Sequence, residues 1–159
     1  MSNKKNPHLA FSIKYKGIAK ELISDIEIIN PLNNQRKKYN AIWDTGATNT
    51  VITSKVLKEL SLTIVDIATI VGVNSEPKHA QDALFNFLLP NNVSKKGVRG
   101  SVCTIGGNAD ILIGMDIIKF GDFAISNGEG QTLFSFAIPP FENKTDLLEK
   151  ANKTNKNNF

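Results

Sequence analysis

Clusters of glycine, asparagine and proline interrupt this chain so often that only short elements fit between them. Residues 9–16 alternate between apolar and polar side chains, as a half-buried strand does, and Gly17 ends the run. Residues 22–29 form a second strand candidate, followed by the dense turn signal of 30–35. Residues 39–43 are apolar and lead into Asp44-Thr45-Gly46. Residues 50–53 read as extended, and Ser54 can then cap a short helix through Leu60 with Val56, Leu57 and Leu60 facing inward. Residues 64–73 are rich in β-branched side chains, 72–77 form a turn, and 79–89 form the returning strand. Strands are also expected at 98–105 and at 111–114, the latter apolar throughout and therefore buried. One or two helical turns fit 115–120. A hairpin fits 123–126 and 132–136, with Asn127 and the glycines of 127–130 supplying positive φ. Many short strands with little helix predict an all-β fold, a small barrel or a sandwich.

The chain has 159 residues, of which 41% are hydrophobic, so one domain with a real core is expected. Its boundaries are drawn as a flexible N-terminus over 1–8, a domain over 9–141 and a polar, disordered tail over 142–159, with Leu147 and Leu148 marking a short helix inside the tail. No apolar run is long enough to cross a bilayer, so no membrane partner is expected. The first residues carry lysines and no apolar stretch, unlike a secretory signal. One cysteine, Cys103, rules out an internal disulfide and fits a reducing, cytoplasmic setting. Two distant histidines and a single cysteine exclude the usual structural zinc patterns. The net charge of +4 comes from lysines near the start, from Arg36-Lys37-Lys38 and from the tail. No aromatic residues interleave with these clusters, so they read as solvated turns and tail and no nucleic acid is required as a partner.

The segment Ala41-Ile42-Trp43-Asp44-Thr45-Gly46-Ala47-Thr48 carries the chemistry. On a strand, Trp43 and Asp44 point to opposite faces, so the indole can enter the core while the carboxylate projects from the strand's end. Gly46 lets the backbone turn sharply and leaves room for a second segment or a substrate. Taken alone, Asp-Thr-Gly is an ordinary turn. A second segment changes its weight: Ile111-Leu112-Ile113-Gly114, an apolar strand ending in glycine, can pass behind a catalytic loop and support it.

Together these residues resemble the retropepsin-like aspartic peptidases, the single-lobed retroviral type. That family places an apolar pair before Asp-Thr/Ser-Gly-Ala, then an apolar triplet and glycine before a short helix. Ile42-Trp43-Asp44-Thr45-Gly46-Ala47 and Ile111-Leu112-Ile113-Gly114 match in order and separation. A hairpin over 64–89 stands where the family has its flap, and the resemblance covers about 9–138. The run Met115-Asp116-Ile117-Ile118 with its closing strand pair looks closer to the cellular, bacterial and phage branches than to the retroviral enzymes. Retroviral members often pair an acidic residue after Asp-Thr-Gly-Ala with an arginine after the supporting glycine. Here Thr48 and Met115 occupy those positions, so both charges are absent together.

The resemblance implies a closed retropepsin-type barrel with one or two short helices, active as a symmetric homodimer on an extended polypeptide, without metal or cofactor. It implies that Asp44, Thr45 and Gly46 are catalytic, and that Gly46, Ala47, Thr48, Val71, Gly72 and Val73 contact substrate. Ile113 and Gly114 then support the site. Asp110 and Asp116 read as turn and helix-end residues, His79 as an exposed strand residue and Cys103 as a small core residue. The rival reading is a peptide-binding or assembly module built on the same barrel with catalysis lost. A third places the lysine clusters on nucleic acid.

Overall fold

The structure, a computed structural model, describes residues 7–70 and 78–156. Its strands are β1 (Leu9–Lys14), β2 (Ile23–Ile29), β3 (Arg36–Trp43), β4 (Val51–Ile52), β5 (Thr63–Ile70), β6 (Lys78–Leu88), β7 (Ser94–Val102), β8 (Ile111–Ile113), β9 (Asp122–Ser126) and β10 (Leu133–Ile138). The helices are α1 (Ser54–Glu59), α2 (Met115–Ile118) and α3 (Leu147–Lys156). The first two are short, and α3 contributes no buried residue.

Six strands close a barrel in the order β2-β3-β8-β4-β7-β6, and β6 returns to pair with β2 at Glu27↔Leu88, Ile28↔Phe87 and Ile29↔Asn86. Alternation explains the closure. Ser24, Ile26 and Ile28 of β2 point inward, as do Tyr39, Ala41 and Trp43 of β3 and Ala83, Phe85 and Phe87 of β6. The polar residues between them, Asp25, Lys38 and Asn40 among others, face out or to the barrel's rim. β5 lies outside the ring and pairs antiparallel with β6, forming the hairpin expected over 64–89.

A second sheet, β1-β10-β9, packs its apolar face on the barrel. Phe11, Phe134, Phe136 and Phe123 surround the Trp43 ring at centroid distances of 5.8, 5.3, 4.8 and 6.2 Å. Burying each such side chain fully contributes about 1.5–3 kcal/mol, so this aromatic cluster anchors the end of β3. The indole N–H would be costly to bury alone; it donates to Ser24 Oγ at 2.8 Å.

The chain departs from its sequence reading in five places. Ser54 does not cap α1: it is the first helical residue, Thr53 holds the N-cap position in an extended conformation, and no side chain caps the helix. β3 starts at Arg36, three residues before its apolar part, so Arg36, Lys37 and Lys38 extend a strand rather than a turn. β7 occupies Ser94–Val102 rather than 98–105, and its first half carries no apolar alternation to announce it. In the turn after β9, Glu129 (φ 54°) and Gly130 (φ 71°) take the left-handed conformation, while Asn127 has φ −117°. Cys103 is half-buried at the end of β7 rather than in the core.

Candidate active site

β3 and β8 run parallel, pairing Ala41, Ile42 and Trp43 with Ile111, Leu112 and Ile113. The Asp44 N–H extends the ladder by donating to Ile113 O at 2.9 Å. Trp43 is inward and 4% exposed, so the next residue must face the other way, and Asp44 is half-buried beyond the barrel's wall. The chain then turns back at once. Ala47 N–H donates to Asp44 O at 3.3 Å, and Gly46 N–H donates to Asp44 Oδ1 at 2.8 Å. One carboxylate oxygen is thereby oriented by its own loop. A β-carbon on Gly46 would stand 3.1 Å from that oxygen, tighter than ordinary contact.

The loop rests on Gly114 and the start of α2. A helix leaves its first N–H groups without partners inside the helix, and Gly114 has no side chain to cap them. The loop does so instead: Met115 N–H donates to Ala47 O at 2.8 Å and Asp116 N–H to Thr48 O at 3.0 Å. The approach is so close that a β-carbon on Gly114 would lie 2.6 Å from Asn49 C and 3.0 Å from Ala47 O. Ile113 is fully buried behind Asp44. The structure therefore brings Asp44, Thr45, Gly46, Ala47, Thr48, Ile113 and Gly114 together at one end of the β3–β8 pair. Thr45, Gly46 and Thr48 are exposed and Ala47 is half-buried. The Thr45 hydroxyl has no partner among the described residues. Val71, Gly72 and Val73 lie outside the described residues.

Beside Asp44 and Thr45 is an open cavity of about 300 Å³, with apolar walls from Leu22, Ile42, Trp43, Phe123 and Ile125 and charge from Lys20 and Glu21. A larger concavity of about 580 Å³ lies around Lys55, Cys103 and Asp110, at the opposite end of β8. There Asp110 is taken up by an ion pair with Lys55 at 3.0 Å, and its backbone joins β3 to the start of α1. His79 is exposed on β6. Among the described residues no three metal-ligating acidic, histidine or cysteine side chains cluster. On the barrel wall, burial and then the hydrogen bond to Glu59 push the Tyr39 phenol far above its usual range, while hydrogen bonds from Lys37 and Tyr39 hold the Glu59 carboxyl below its own.

Sequence reasoning missed Thr50. It is 1% exposed, donates from Oγ1 to Asp116 Oδ1 at 2.9 Å and accepts the Gly114 N–H at 3.4 Å. The only signal was a threonine just before an apolar strand and an acid in the first turn of α2, neither informative without the fold.

A half-buried carboxylate with one oxygen oriented by its own loop, beside an open cavity, can polarise a water. A family model described as aspartyl protease matches residues 30–117, from the turn after β2 through most of α2. Among solved structures, the chain is similar to a retropepsin-like aspartic protease from Rickettsia conorii. That match has 18% sequence identity and a TM-score of 0.54, and covers 83% of this chain and 96% of that one. No curated protein matches the sequence at a significant level. No described helix is long and apolar enough to cross a membrane.

Proposed function

Because the chain belongs to the aspartyl protease family and has the retropepsin-like fold, we propose that it is a homodimeric aspartic endopeptidase. Peptide hydrolysis without a metal or a nucleophilic side chain requires one group to take a proton from water and another to give one to the leaving amine. A single carboxylate cannot do both at once. Two carboxylates sharing one proton can, because like charges at short range do not both ionise cheaply. Each chain has one Asp-Thr-Gly, so the second Asp44 comes from a second copy across a twofold axis.

The observation that carries this reading is the way Asp44 is held: carboxylate Oδ1 on Gly46 N–H, and the loop packed closely on Gly114 and bonded to the start of α2. Such pre-organisation places a reacting group at no further ordering cost. In this assignment Asp44 is the acid–base group, and the unpartnered Thr45 hydroxyl bonds across the axis. Gly46, Ala47 and Thr48 line an extended peptide from below, with Val71, Gly72 and Val73 at the flap tip above. Ile113 and Gly114 form the support. The catalytic domain spans 9–141, with 1–8 and 142–159 as flanking segments. One cysteine in the chain favours a cytoplasmic, reducing setting.

The test is cleavage of a peptide library by the purified protein and by Asp44→Asn. The parent should cleave, because the pair of carboxylates supplies both the acid and the base. Asp44→Asn should be folded and inactive. An Asp44→Asn protein that cleaves like its parent rejects the assignment, and a parent that binds peptides without cleaving them identifies a binding module.

A further inference from the structure

Thr50 is a buried residue that bonds to Gly114, to α2 and to β7 beneath the Asp44 loop. Its side chain is 1% exposed. Its hydroxyl donates to Asp116 Oδ1 at 2.9 Å and accepts the Gly114 N–H at 3.4 Å, so one oxygen spans the junction of β8 and α2. Its carbonyl accepts Ser101 N–H of β7 at 3.2 Å. Ser101, itself 6% exposed, donates from Oγ to Asp82 Oδ1 at 2.6 Å, and Asp82 lies on β6, in the hairpin with β5. The loop is thus tied through Thr50 to α2 on one side and to β7 on the other, and through Ser101 onward to β6 of the hairpin.

We propose that Thr50 is the positioning residue for Asp44, acting through the Asp116 carboxylate and the Gly114 amide. The loop over 44–50 is anchored in its middle, where Ala47 O and Thr48 O accept from the first N–H groups of α2, and at both ends. At its start the anchor is the backbone bond from Asp44 to Ile113. At its end the anchor is the Thr50 side chain. Removing the hydroxyl leaves a half-buried carboxylate and a buried amide without their partners, and the loop must shift to rehydrate them. A shift of the loop reaches Asp44 directly, and the rate of a reaction between positioned groups is steeply sensitive to such a shift.

This inference rests on the protease reading, and its experiment separates the two. Thr50→Val, of nearly the same shape, Thr50→Ser, which keeps the hydroxyl, Asp116→Asn, which keeps an acceptor, and Asp116→Ala would be made in the full chain. kcat, KM and melting temperature would be measured on any peptide the parent cleaves. Thr50→Val and Asp116→Ala should lower kcat about tenfold or more with KM within about twofold of the parent. Thr50→Ser and Asp116→Asn should stay within about threefold in kcat, and Thr50→Val combined with Asp116→Ala should be no worse than either alone. A Thr50→Val protein that melts normally with normal kcat, or a Thr50→Ser protein as slow as Thr50→Val, overturns the proposal. If the parent cleaves nothing, the protease reading has failed, and amide exchange decides the clamp by itself. Faster exchange at Gly114, Met115 and Asp116 in Thr50→Val but not in Thr50→Ser upholds it, and unchanged exchange rejects it.

Discussion

The ring of Phe136 lies 4.8 Å from that of Trp43, and Trp43 is the residue immediately before Asp44. The small sheet therefore sets the position of the end of β3. Phe136 is fully buried, so Phe136→Ala removes its transfer energy and leaves a cavity against the indole. A loss of about 3–5 kcal/mol is expected. Urea unfolding followed by the emission of Trp43, the single tryptophan, measures it. A loss under about 1 kcal/mol would mean that the two sheets do not depend on this contact.

Gly114→Ala should be worse for function than for stability. The added carbon meets backbone, Asn49 C at 2.6 Å and Asn49 O at 2.7 Å, and backbone cannot swing aside as a side-chain tip can. Overpacking of this kind costs about 1–3 kcal/mol. The loop that moves to relieve it is the one carrying Asp44, so peptide cleavage per folded molecule should fall by well over the loss in folded fraction. Cleavage assayed beside circular dichroism checks this.

Mixing subunits tests whether the site is shared. Parent and Asp44→Asn chains would be co-refolded in equal amounts. Random pairing gives about a quarter parent dimers, and activity per parent subunit should drop to about half. Activity that tracks the amount of parent chain would show that each subunit owns a complete site.

The two tyrosines give a pH prediction with a definite sign. Burial raises the phenol of Tyr15 above 10.0, and burial with the Glu59 hydrogen bond raises that of Tyr39 further. A group whose folded pKa is raised keeps its proton longer when folded. Its contribution to stability is complete below the unfolded pKa and is lost as pH rises through the folded value. Native protein should thus show little phenolate absorbance near 295 nm at pH 10, and its urea midpoint should fall above that pH. Tyr39→Phe should reduce the alkaline fall, and an unchanged fall would place its cause elsewhere.

The parts of this molecule legible in the sequence are those written in consecutive residues. Asp44-Thr45-Gly46-Ala47 and Ile111-Leu112-Ile113-Gly114 announce a loop and its support because a turn, a buried strand and a glycine each have a local signature. The hairpin of β5 and β6 was legible for the same reason. The beginnings of β3 and β7 were not, because Arg36-Lys37-Lys38 and Ser94-Lys95-Lys96 sit where outward and inward faces are both wet or marginal, and period-two alternation vanishes there. The Thr50–Asp116 bond joins residues 66 positions apart and has no local trace at all. Nor does the sequence say that β10 is the middle strand of its sheet, with β1 and β9 at the edges among the described residues. A second copy extending this sheet through its backbone must therefore meet β1 or β9, not β10.

The pairing of β3 with β8 also has a consequence in time. During synthesis Asp44 emerges long before Ile111, Leu112, Ile113 and Gly114, and until they arrive its loop has nothing to rest on. The sheet that holds Trp43 is later still, since Leu9 waits for Ile138. Contacts so distant along the chain form slowly and late in folding. An unfinished chain carries Asp44 without the strand and glycine that hold its loop.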